Sequence, residues 1–378
     1  ATGTDVAIDF TNTREWSDSP YATTNPSHES MGSISLTQPI AKNFFGLIDR
    51  GEIEILKYEI QNTGLDSYIK IEDYMVDSEK AYWDLVLAYE KVNIRKEMLE
   101  RATTLFDQYK KNLEIGLAES GDVLGVEANM HIRESELLIA ENDLKSAEEL
   151  LKVKLNIKND VTLIPTNTLE AEDIPDDFTE NLKIAFNNRR DYLRDKNSIE
   201  AKKINLTMKK NSLFPEIDLK ATLAQNGIDS KYNQAIQDVI EDSNPKYYVG
   251  LTFSFPLENN EAKSERKKAD LEKTKAIITL QKTERDIISD VDEKFRSKNI
   301  KKQHHSNMEK VLALQEGKLL QEEKKFKHGR SNSDLLIRYQ EDLLNAELTS
   351  KKSLYDYKVS LVELLESEDY YLKHIGLE

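Results

Sequence analysis

Two aspartates in matching local sequences are the residues of this chain best placed to act on a charged ligand. Asp122 lies in segment 115–124, IGLAESGDVL, and Asp334 lies in segment 328–336, HGRSNSDLL. In each segment a glycine is followed by small polar residues, and the aspartate precedes apolar residues. Such an aspartate either caps the helix that follows or presents its carboxylate as a fixed negative charge. Both roles stay open on the sequence.

Other kinds of chemistry are poorly represented. The chain contains no cysteine, so thiolate metal sites and disulfides are excluded. His304 and His305 are adjacent in a helical pattern, and neighbours in sequence do not share a helix face. A glycine-rich phosphate loop, a zinc-ligand spacing and a nucleophile–base arrangement are all missing. We therefore expect no enzyme activity, no catalytic residue, no metal site and no cofactor.

Composition narrows the class of protein further. The net charge is −16 over 378 residues and the pI is near 5.1, which argues against a nucleic-acid partner because phosphate binding needs a basic face. Hydrophobic residues make up only 38%, as expected where long helices bury narrow seams. No apolar run is long enough to form a transmembrane helix.

The elements that position the aspartates form an internal repeat. All eight prolines lie outside segments 40–164 and 257–378, each of which has the composition of a long helical hairpin. The glycines at the two turns are typical of left-handed helix C-caps. Strands with alternating apolar residues precede each hairpin, and Pro39 and Pro256 mark the strand-to-helix joints. The predicted strands are residues 5–11, 33–37, 217–223 and 247–255. The sequence therefore predicts an internal repeat, in which a strand pair followed by a long helical hairpin occurs twice.

The four strands allow two interpretations. They form either a small antiparallel sheet packed on helices or the tilted strands of a transmembrane barrel with an apolar face toward lipid. Open sheet edges do not occur in hydrocarbon, and known single-chain barrels have at least about eight strands. A membrane barrel would therefore require several chains, and three chains would supply roughly twelve strands.

At the two hairpin tips the chain resembles the TolC-type outer-membrane efflux proteins. The tip pattern occurs twice, as the duplication in that family demands. The strand-to-helix joints LTQPI (36–40) and FSFPL (253–257) are similar to the joints of the family. The family also has segments similar to NRRDYL (188–193) and LFPEI (213–217), which lead into the second strand pair. Their order spans essentially the whole chain.

The resemblance implies a mainly α fold with a membrane β part. Three chains would share a twelve-stranded barrel continued by a long α-helical barrel. Residues 1–40 and 213–257 would form the membrane strands, with extracellular loops at 12–32 and 225–246. Residues 41–157 would form the first periplasmic hairpin, 158–212 an equatorial segment and helix, and 258–378 the second hairpin with a C-terminal equatorial part.

The function implied is a passive exit duct in the outer membrane of a Gram-negative bacterium, extending into the periplasm. An inner-membrane transporter would feed it through a periplasmic adaptor protein, in tripartite efflux or type I secretion. The alternative is a soluble periplasmic coiled-coil scaffold or adaptor. That alternative accounts for the helices, but it does not explain why both strand pairs enter a hairpin through proline at equivalent places.

The resemblance also suggests roles for the tip residues. Asp122 and Asp334 would form carboxylate rings near the periplasmic mouth that favour cations. Arg330 would tie neighbouring hairpins together by pairing with Asp122 or with a tip carbonyl. Phe326 replaces a tyrosine that often ties hairpins together in the family, and it cannot form a hydrogen bond. The candidate residues for adaptor docking are Gly116, Leu117, Ser120, Gly329 and Ser331.

Two departures from the family pattern stand out. The second tip has one residue fewer between glycine and aspartate than the first, so Asp334 is expected one residue out of register with Asp122. A helical segment at 175–212 precedes the second strand pair, whereas the first strand pair has no counterpart ahead of it. The expectation is that an N-terminal helical segment is absent.

Overall fold

A computed structural model describes residues 2–158, 160–169, 177–241 and 245–377. The strands are β1 (Asp5–Glu15), β2 (Ser27–Pro39), β3 (Glu216–Asp229) and β4 (Pro245–Ser254). The helices are α1 (Leu47–Glu114), α2 (Ser120–Lys154), α3 (Phe178–Asn188), α4 (Arg190–Asn211), α5 (Tyr232–Glu241), α6 (Asn260–Lys327), α7 (Ser333–Ser367) and α8 (Tyr371–His374). None of these described helices is both long and apolar enough to cross a membrane.

The predicted repeat is confirmed by the lengths of the helices. α1 and α6 each contain 68 residues, and α2 and α7 each contain 35. Each long helix follows a strand pair and is followed by one of the shorter helices. Equal lengths at equivalent places are what a duplicated unit produces.

In each hairpin the two helices run antiparallel. In the second hairpin Lys294 pairs with Glu363 at 3.8 Å, and Lys318 pairs with Asp342 at 2.5 Å. The earlier residue of α6 therefore meets the later residue of α7. In the first hairpin, the Lys96–Glu141 and Lys154–Asp77 ion pairs join α1 to α2 in the same sense.

The chain divides into two compact units. The first, Ala1–Leu65 with Asp191–Thr283, contains the sheet, α5 and almost all of α4. The second, Asp66–Arg190 with Glu284–Glu378, contains both hairpin tips, α2, α3, α7 and α8. The buried apolar core near the tips draws on α1, α2, α6 and α7 and consists of Ile94, Met98, Leu105, Val126, Leu319, Leu336, Leu343 and Leu344.

The strands form one antiparallel sheet in the order β1-β2-β3-β4. Its register aligns apolar residues into rows across all four strands. One row contains Ile8, Ile34, Leu223 and Tyr247. Because cross-strand partners point to the same side of a sheet, these residues define one apolar face. Ser35 and Thr222 lie on the opposite face, where their hydroxyls are 3.0 Å apart.

The strands run further than the alternation predicted, so the predicted loop bounds are wrong. β1 continues to Glu15 and β2 begins at Ser27, which reduces the loop predicted at 12–32. The added residues pair along the backbone, with Asn12 opposite Ser30. Their side chains are mostly polar on both faces. Pairing depends on backbone groups, so hydrophobic alternation could not reveal this extension.

Two further expectations need correction. The loop predicted at 225–246 contains the end of β3 and the helix α5, and its residues 242–244 lie outside the described residues. The helix predicted at 175–212 is two helices, α3 and α4, separated at Arg189, whose backbone has left the helical conformation. Pro175 also lies outside the described residues.

Candidate functional site

The two hairpin turns have the same backbone geometry. Gly116 has φ +75° and Gly329 has φ +66°, values that favour glycine. At the first turn the Leu117 amide donates to the Asn112 carbonyl at 2.7 Å, and an equivalent hydrogen bond closes the second turn. This pattern is the Schellman motif. The prediction that these glycines terminate helices in the left-handed conformation is confirmed.

Neither aspartate occupies the position that caps the following helix. Asn332 caps α7, and its side chain accepts a 3.0 Å hydrogen bond from the Leu335 amide. Glu119 occupies the cap position of α2 without a side-chain capping bond. Asp122 and Asp334 lie inside the first turns of these helices and are exposed. Their carboxylates therefore face solvent, near the positive ends of the two helix dipoles.

The aspartates are not equivalent in the two repeats. The turns themselves have equal length, because each helix begins four residues after its glycine. Asp122 is the third residue of α2, whereas Asp334 is the second residue of α7. One residue rotates a side chain by about 100° around a helix. The missing residue noted in the sequence thus moves the carboxylate around the helix and leaves the turn unchanged.

The serines predicted as docking residues differ in the same way. Ser120 begins α2 and is exposed. Ser331 lies in the second turn, where its hydroxyl donates to Glu322. Glu322 is only 2% exposed and also accepts a 3.1 Å hydrogen bond from Lys325. The Ser331 hydroxyl and the Lys325 ammonium together lower the pKa of Glu322. Ser331 therefore braces its own hairpin.

The exposed residues of the tips are available for contacts with another chain. Leu117 is 75% exposed, and Arg330 is exposed beside the second turn. Within the described residues the guanidinium of Arg330 pairs with no carboxylate. The predicted tie between Arg330 and Asp122 is thus not made within one chain, because Arg330 points into solvent.

A groove with a volume of about 550 Å³ lies close to the second tip. Its polar wall contains Arg101, which pairs with Glu97 at 2.8 Å and with Glu323 at 3.4 Å. Phe326 lines the groove and stacks on Tyr109, with 6.1 Å between ring centroids. Phe326 thus joins α1 to α6 by packing. The lining residues are Glu97, Glu100, Arg101, Thr104, Leu105, Gln108, Glu323, Phe326, Lys327, Leu336 and Gln340.

In the other unit, the apolar face of the sheet is exposed to an unusual extent. Ile8, Tyr247 and Val249 are each 75% to 77% exposed, and Leu251 and Phe253 are 67% and 68% exposed. Large contiguous apolar patches of this kind mark interaction surfaces or membrane contacts.

Comparison with known proteins identifies this architecture. No family model and no curated protein sequence matches the chain. Solved structures do match over 97% of it. For the outer membrane protein VceC of Vibrio cholerae the TM-score is 0.78, with 14% identity and 87% of that chain covered. For the CmeC outer membrane channel of Campylobacter jejuni the TM-score is 0.75, with 15% identity and 77% of that chain covered. For the MtrE outer membrane channel of Neisseria gonorrhoeae, in its open state, the TM-score is 0.77, with 15% identity and 81% of that chain covered.

The chain has the fold of outer-membrane channel proteins. The fold expected from the resemblance to TolC-type efflux proteins is therefore confirmed for the single chain. Two prolines lie at the ends of strands that precede the long helices. Pro39 is the last residue of β2, and Pro256 lies between β4 and α6. Proline has no amide hydrogen to donate to a neighbouring strand, which suits the end of a pairing region.

Asn43 was missed by sequence reasoning, although it organises the first joint of this channel fold. Its backbone adopts φ +60°, and asparagine tolerates this left-handed conformation. Its side-chain oxygen accepts a 2.8 Å hydrogen bond from the Ile48 amide in the first turn of α1. Its own amide donates to the side chain of Asn211 at 2.7 Å. The side chain thus caps α1 from outside the helix.

A buried ionic cluster was also missed in the sequence. Arg190, part of the NRRDYL motif, donates to Glu72 at 2.7 Å and to Asp369. Glu72 also accepts a 3.0 Å hydrogen bond from the Tyr371 amide. These contacts join α1, α4 and the C-terminal turn. The motif marked the position of Arg190, but no local signal identifies partners more than 100 residues away.

Three glutamates of the helical unit, two buried and one partly buried, have strongly raised pKa values. Burial, as the largest cause, raises the pKa of Glu72, Glu347 and Glu368 to about 7 in each case. One carboxylate oxygen of Glu347 is buried without a hydrogen-bond partner. The negative charge of Glu97 raises the pKa of Glu347 further, while Arg101 opposes this effect. All three residues would gain negative charge as the pH rises through neutrality.

Proposed function

We propose that the chain is the outer-membrane exit duct of a tripartite efflux or type I secretion system in a Gram-negative bacterium. Three copies would form a twelve-stranded barrel continued by an α-helical barrel across the periplasm. The duct would be passive, and an inner-membrane transporter would drive the cargo through it. The observation that carries this proposal is the four-stranded sheet with an exposed apolar face and two open edges.

The edges make assembly necessary if the sheet lies in a membrane. Among the described residues, β1 and β4 are the edge strands of the sheet, so each has backbone groups without a partner strand there. An unpaired backbone group in hydrocarbon costs several kcal/mol. Pairing β4 of one chain with β1 of the next would satisfy both edges. Three chains with four strands each would reach a strand number at which a barrel closes around an aqueous lumen.

The tips supply the surfaces for the other components. The periplasmic adaptor would contact the two turns, where Leu117 and Arg330 are exposed and the glycines allow close approach. The residues assigned to adaptor docking are Gly116, Leu117, Ser120, Gly329 and Ser331. Ser331 would act indirectly, through the brace to Glu322. Asp122, Asp334 and Arg330 are assigned to the constriction at the periplasmic end, with Arg330 tying adjacent chains.

The proposal is tested first by the protein mass of the purified particle in detergent. Light scattering with the detergent contribution subtracted should give three copies of the 43.5 kDa chain. The particle should precipitate when detergent is removed. A monomer or dimer that stays soluble without detergent would overturn the proposal and favour the soluble scaffold.

Trimeric particles should then be inserted into planar bilayers. The expected result is a conductance that requires no energy source. A trimer that binds vesicles without conducting ions would contradict the duct mechanism but not the membrane location.

A further inference from the structure

The helix α5, between β3 and β4, lies against the apolar face of the sheet. A side chain at Gly227 would collide with the backbone of Ala235, 2.3 Å from its carbonyl oxygen. A side chain at Gly32 would come within 3.3 Å of Val239. Gly32 and Gly227 point to the same side as the row containing Ile34, because all belong to that face by register. The absence of side chains at both positions allows the helix to approach the sheet closely.

The part of the sheet that contacts α5 contains small residues. Ser30 pairs with Gly227 across the sheet and is completely buried. Its hydroxyl accepts a hydrogen bond from the Asn12 side chain, so its polarity is satisfied there. Ala235 is completely buried and Val239 is 7% exposed. Small residues from two strands thus form a seat for one face of the helix.

The helix runs along the strands toward the apolar rows. Tyr232, its first residue, makes an edge contact with His28, with ring centroids 6.0 Å apart. Val239, seven residues later, lies over Gly32. Gly32 is nearer than His28 to the apolar row that contains Ile34. The C-terminal end of α5 therefore lies closer to the apolar rows than its start.

One flank of α5 continues the apolar surface. Ile240 is 76% exposed and Ile236 is half-buried. Helical spacing places these two side chains on one flank and Gln234 on the other, about 120° around the axis from Ile240. The side chain of Ile240 is therefore available for contact with the surroundings of the sheet. The polar side chain of Gln234 lies on the other flank of the helix.

Along β3 the apolar residues are too few to cross the apolar part of a bilayer. From Ile217 to Leu223 the apolar residues of β3 cover about 20 Å at ~3.3 Å per residue. At the ~40° tilt of membrane barrels this corresponds to about 15 Å of height, whereas the apolar band of such barrels is ~25 Å tall. The 10 residues of α5 would cover about 11 Å of height at ~1.5 Å per residue and the same tilt, which is close to the difference. α5 covers the next rows of β2 and β3.

We propose that α5 is a membrane-interface helix that completes the lipid-facing band at the extracellular side. Ile236 and Ile240 contact the acyl chains of the outer leaflet, and Gln234 faces water. The partner of this surface is lipid. The inference rests on the proposed function, because it requires the apolar sheet face to lie in a membrane.

Single cysteines test this assignment, since the chain contains none. Ile240→Cys, Gln234→Cys and Leu251→Cys are labelled with an environment-sensitive fluorophore. Leu251 belongs to the apolar sheet face and serves as the membrane reference. Each variant is inserted into phosphatidylcholine vesicles that carry a nitroxide on the acyl chain near the headgroup, and quenching by aqueous iodide is measured in parallel.

The labels at Ile240 and Leu251 should lose most of their fluorescence to the nitroxide lipid and resist iodide. The label at Gln234 should show the reverse. Iodide quenching at both helix positions, with lipid quenching retained at Leu251, would overturn the inference and leave the duct intact. Lipid quenching at all three positions would overturn the assignment of Gln234 to water. Iodide quenching at Leu251 itself would instead contradict the proposed function.

Discussion

The guanidinium of Arg190 donates a 2.7 Å hydrogen bond to the carboxylate of Glu72, with only 5% and 3% of the two side chains exposed. The same guanidinium pairs with Asp369, whose other carboxylate oxygen accepts a 2.6 Å hydrogen bond from the Arg190 amide. Burial raises the pKa of Glu72 to about 7, and the Asp369 carboxyl adds to this effect, whereas Arg190 opposes it. The helical unit thus depends on one arginine to hold two buried carboxyl groups.

Arg190→Ala should therefore destabilise the helical unit by about 3–5 kcal/mol, since it leaves buried acids without their cation. Unfolding of the detergent-solubilised protein, followed by far-ultraviolet circular dichroism in denaturant, measures this loss. Arg296 provides the matched control because it pairs with Asp292 at 2.9 Å on the surface. Arg296→Ala should cost less than about 1 kcal/mol. Equal effects would mean that burial of the Arg190 cluster adds no stability.

Stability of the helical unit should fall as the pH rises through neutrality. Glu347 has a folded pKa of about 7, above its ordinary value of 4.5, so the folded state binds the proton more tightly than the unfolded state. The resulting stabilisation is complete below about pH 4.5 and is lost as the pH passes 7. Glu347→Gln removes the titration and should raise the melting temperature at pH 8 by a few degrees.

Exposed Glu149 of α2 is the control for that pH effect. Glu149→Gln should leave the dependence of the melting temperature on pH unchanged between pH 5 and 8. If Glu347→Gln also left the profile unchanged, burial of this carboxyl would not contribute to the pH dependence.

Two glycines of α6 and its turn should respond in opposite directions to alanine. Apart from the adjoining backbone, neither Gly317 nor Gly329 has an atom within 4 Å of the position that a Cβ would occupy. They differ in backbone, because only Gly329 has a positive φ. Gly317→Ala should stabilise the helix by about 0.5–1 kcal/mol. Gly329→Ala should cost about 1–2 kcal/mol, measured by denaturant unfolding. The same sign for both changes would contradict the role assigned to backbone conformation.

In cells, Gly116→Val and Gly329→Val should disturb the turns and weaken export while trimers persist. Export of a reporter substrate and crosslinked trimers are measured together. Loss of trimers would instead assign these glycines to assembly.

Membrane insertion should depend on which face of β4 carries a charge. Leu251 and Thr252 are adjacent and therefore point to opposite faces, with Leu251 on the apolar face. Leu251→Arg should oppose insertion by about 2–4 kcal/mol if the residue lies near the bilayer midplane. Thr252→Arg should be tolerated because it would face the lumen of the proposed barrel. Flotation of refolded protein with vesicles compares the two variants, and equal flotation would contradict the assignment of the faces.

The aspartates of the tips should control the ion selectivity of the duct. Asp334→Ala should shift the reversal potential in a salt gradient toward weaker cation selectivity and reduce block by multivalent cations. Asp122→Ala separates the two repeats, since its carboxylate projects from its helix at an angle different by about 100°. If both variants and the double variant kept the original selectivity, the proposed carboxylate rings would be rejected.

Much of the fold was predictable because its signals are local. The absence of proline over long segments, helical spacing of apolar residues and glycine at the turns predicted two hairpins, and helices of 68 and 35 residues in each repeat confirm them. Alternation of apolar and polar residues predicted the positions of all four strands. The glycines at 116 and 329 adopt the conformation that their sequence context required. Each of these features depends on residues within one or two helical turns or along one strand.

Other features were decided by contacts between distant parts of the chain. The pairing of Arg190 with Glu72 joins residues that no local pattern relates, and burial is the largest cause of the raised pKa of Glu72. The seat for α5 needs Gly32 and Gly227 to become neighbours on adjacent strands. Polar residues such as Asn12 extend the strands because their backbone finds a partner. Local signals in the sequence are enough to predict the helices, the turns and the duplication. Contacts between distant segments determine which charges are buried and where α5 lies, since desolvation and close packing exist only once those segments meet.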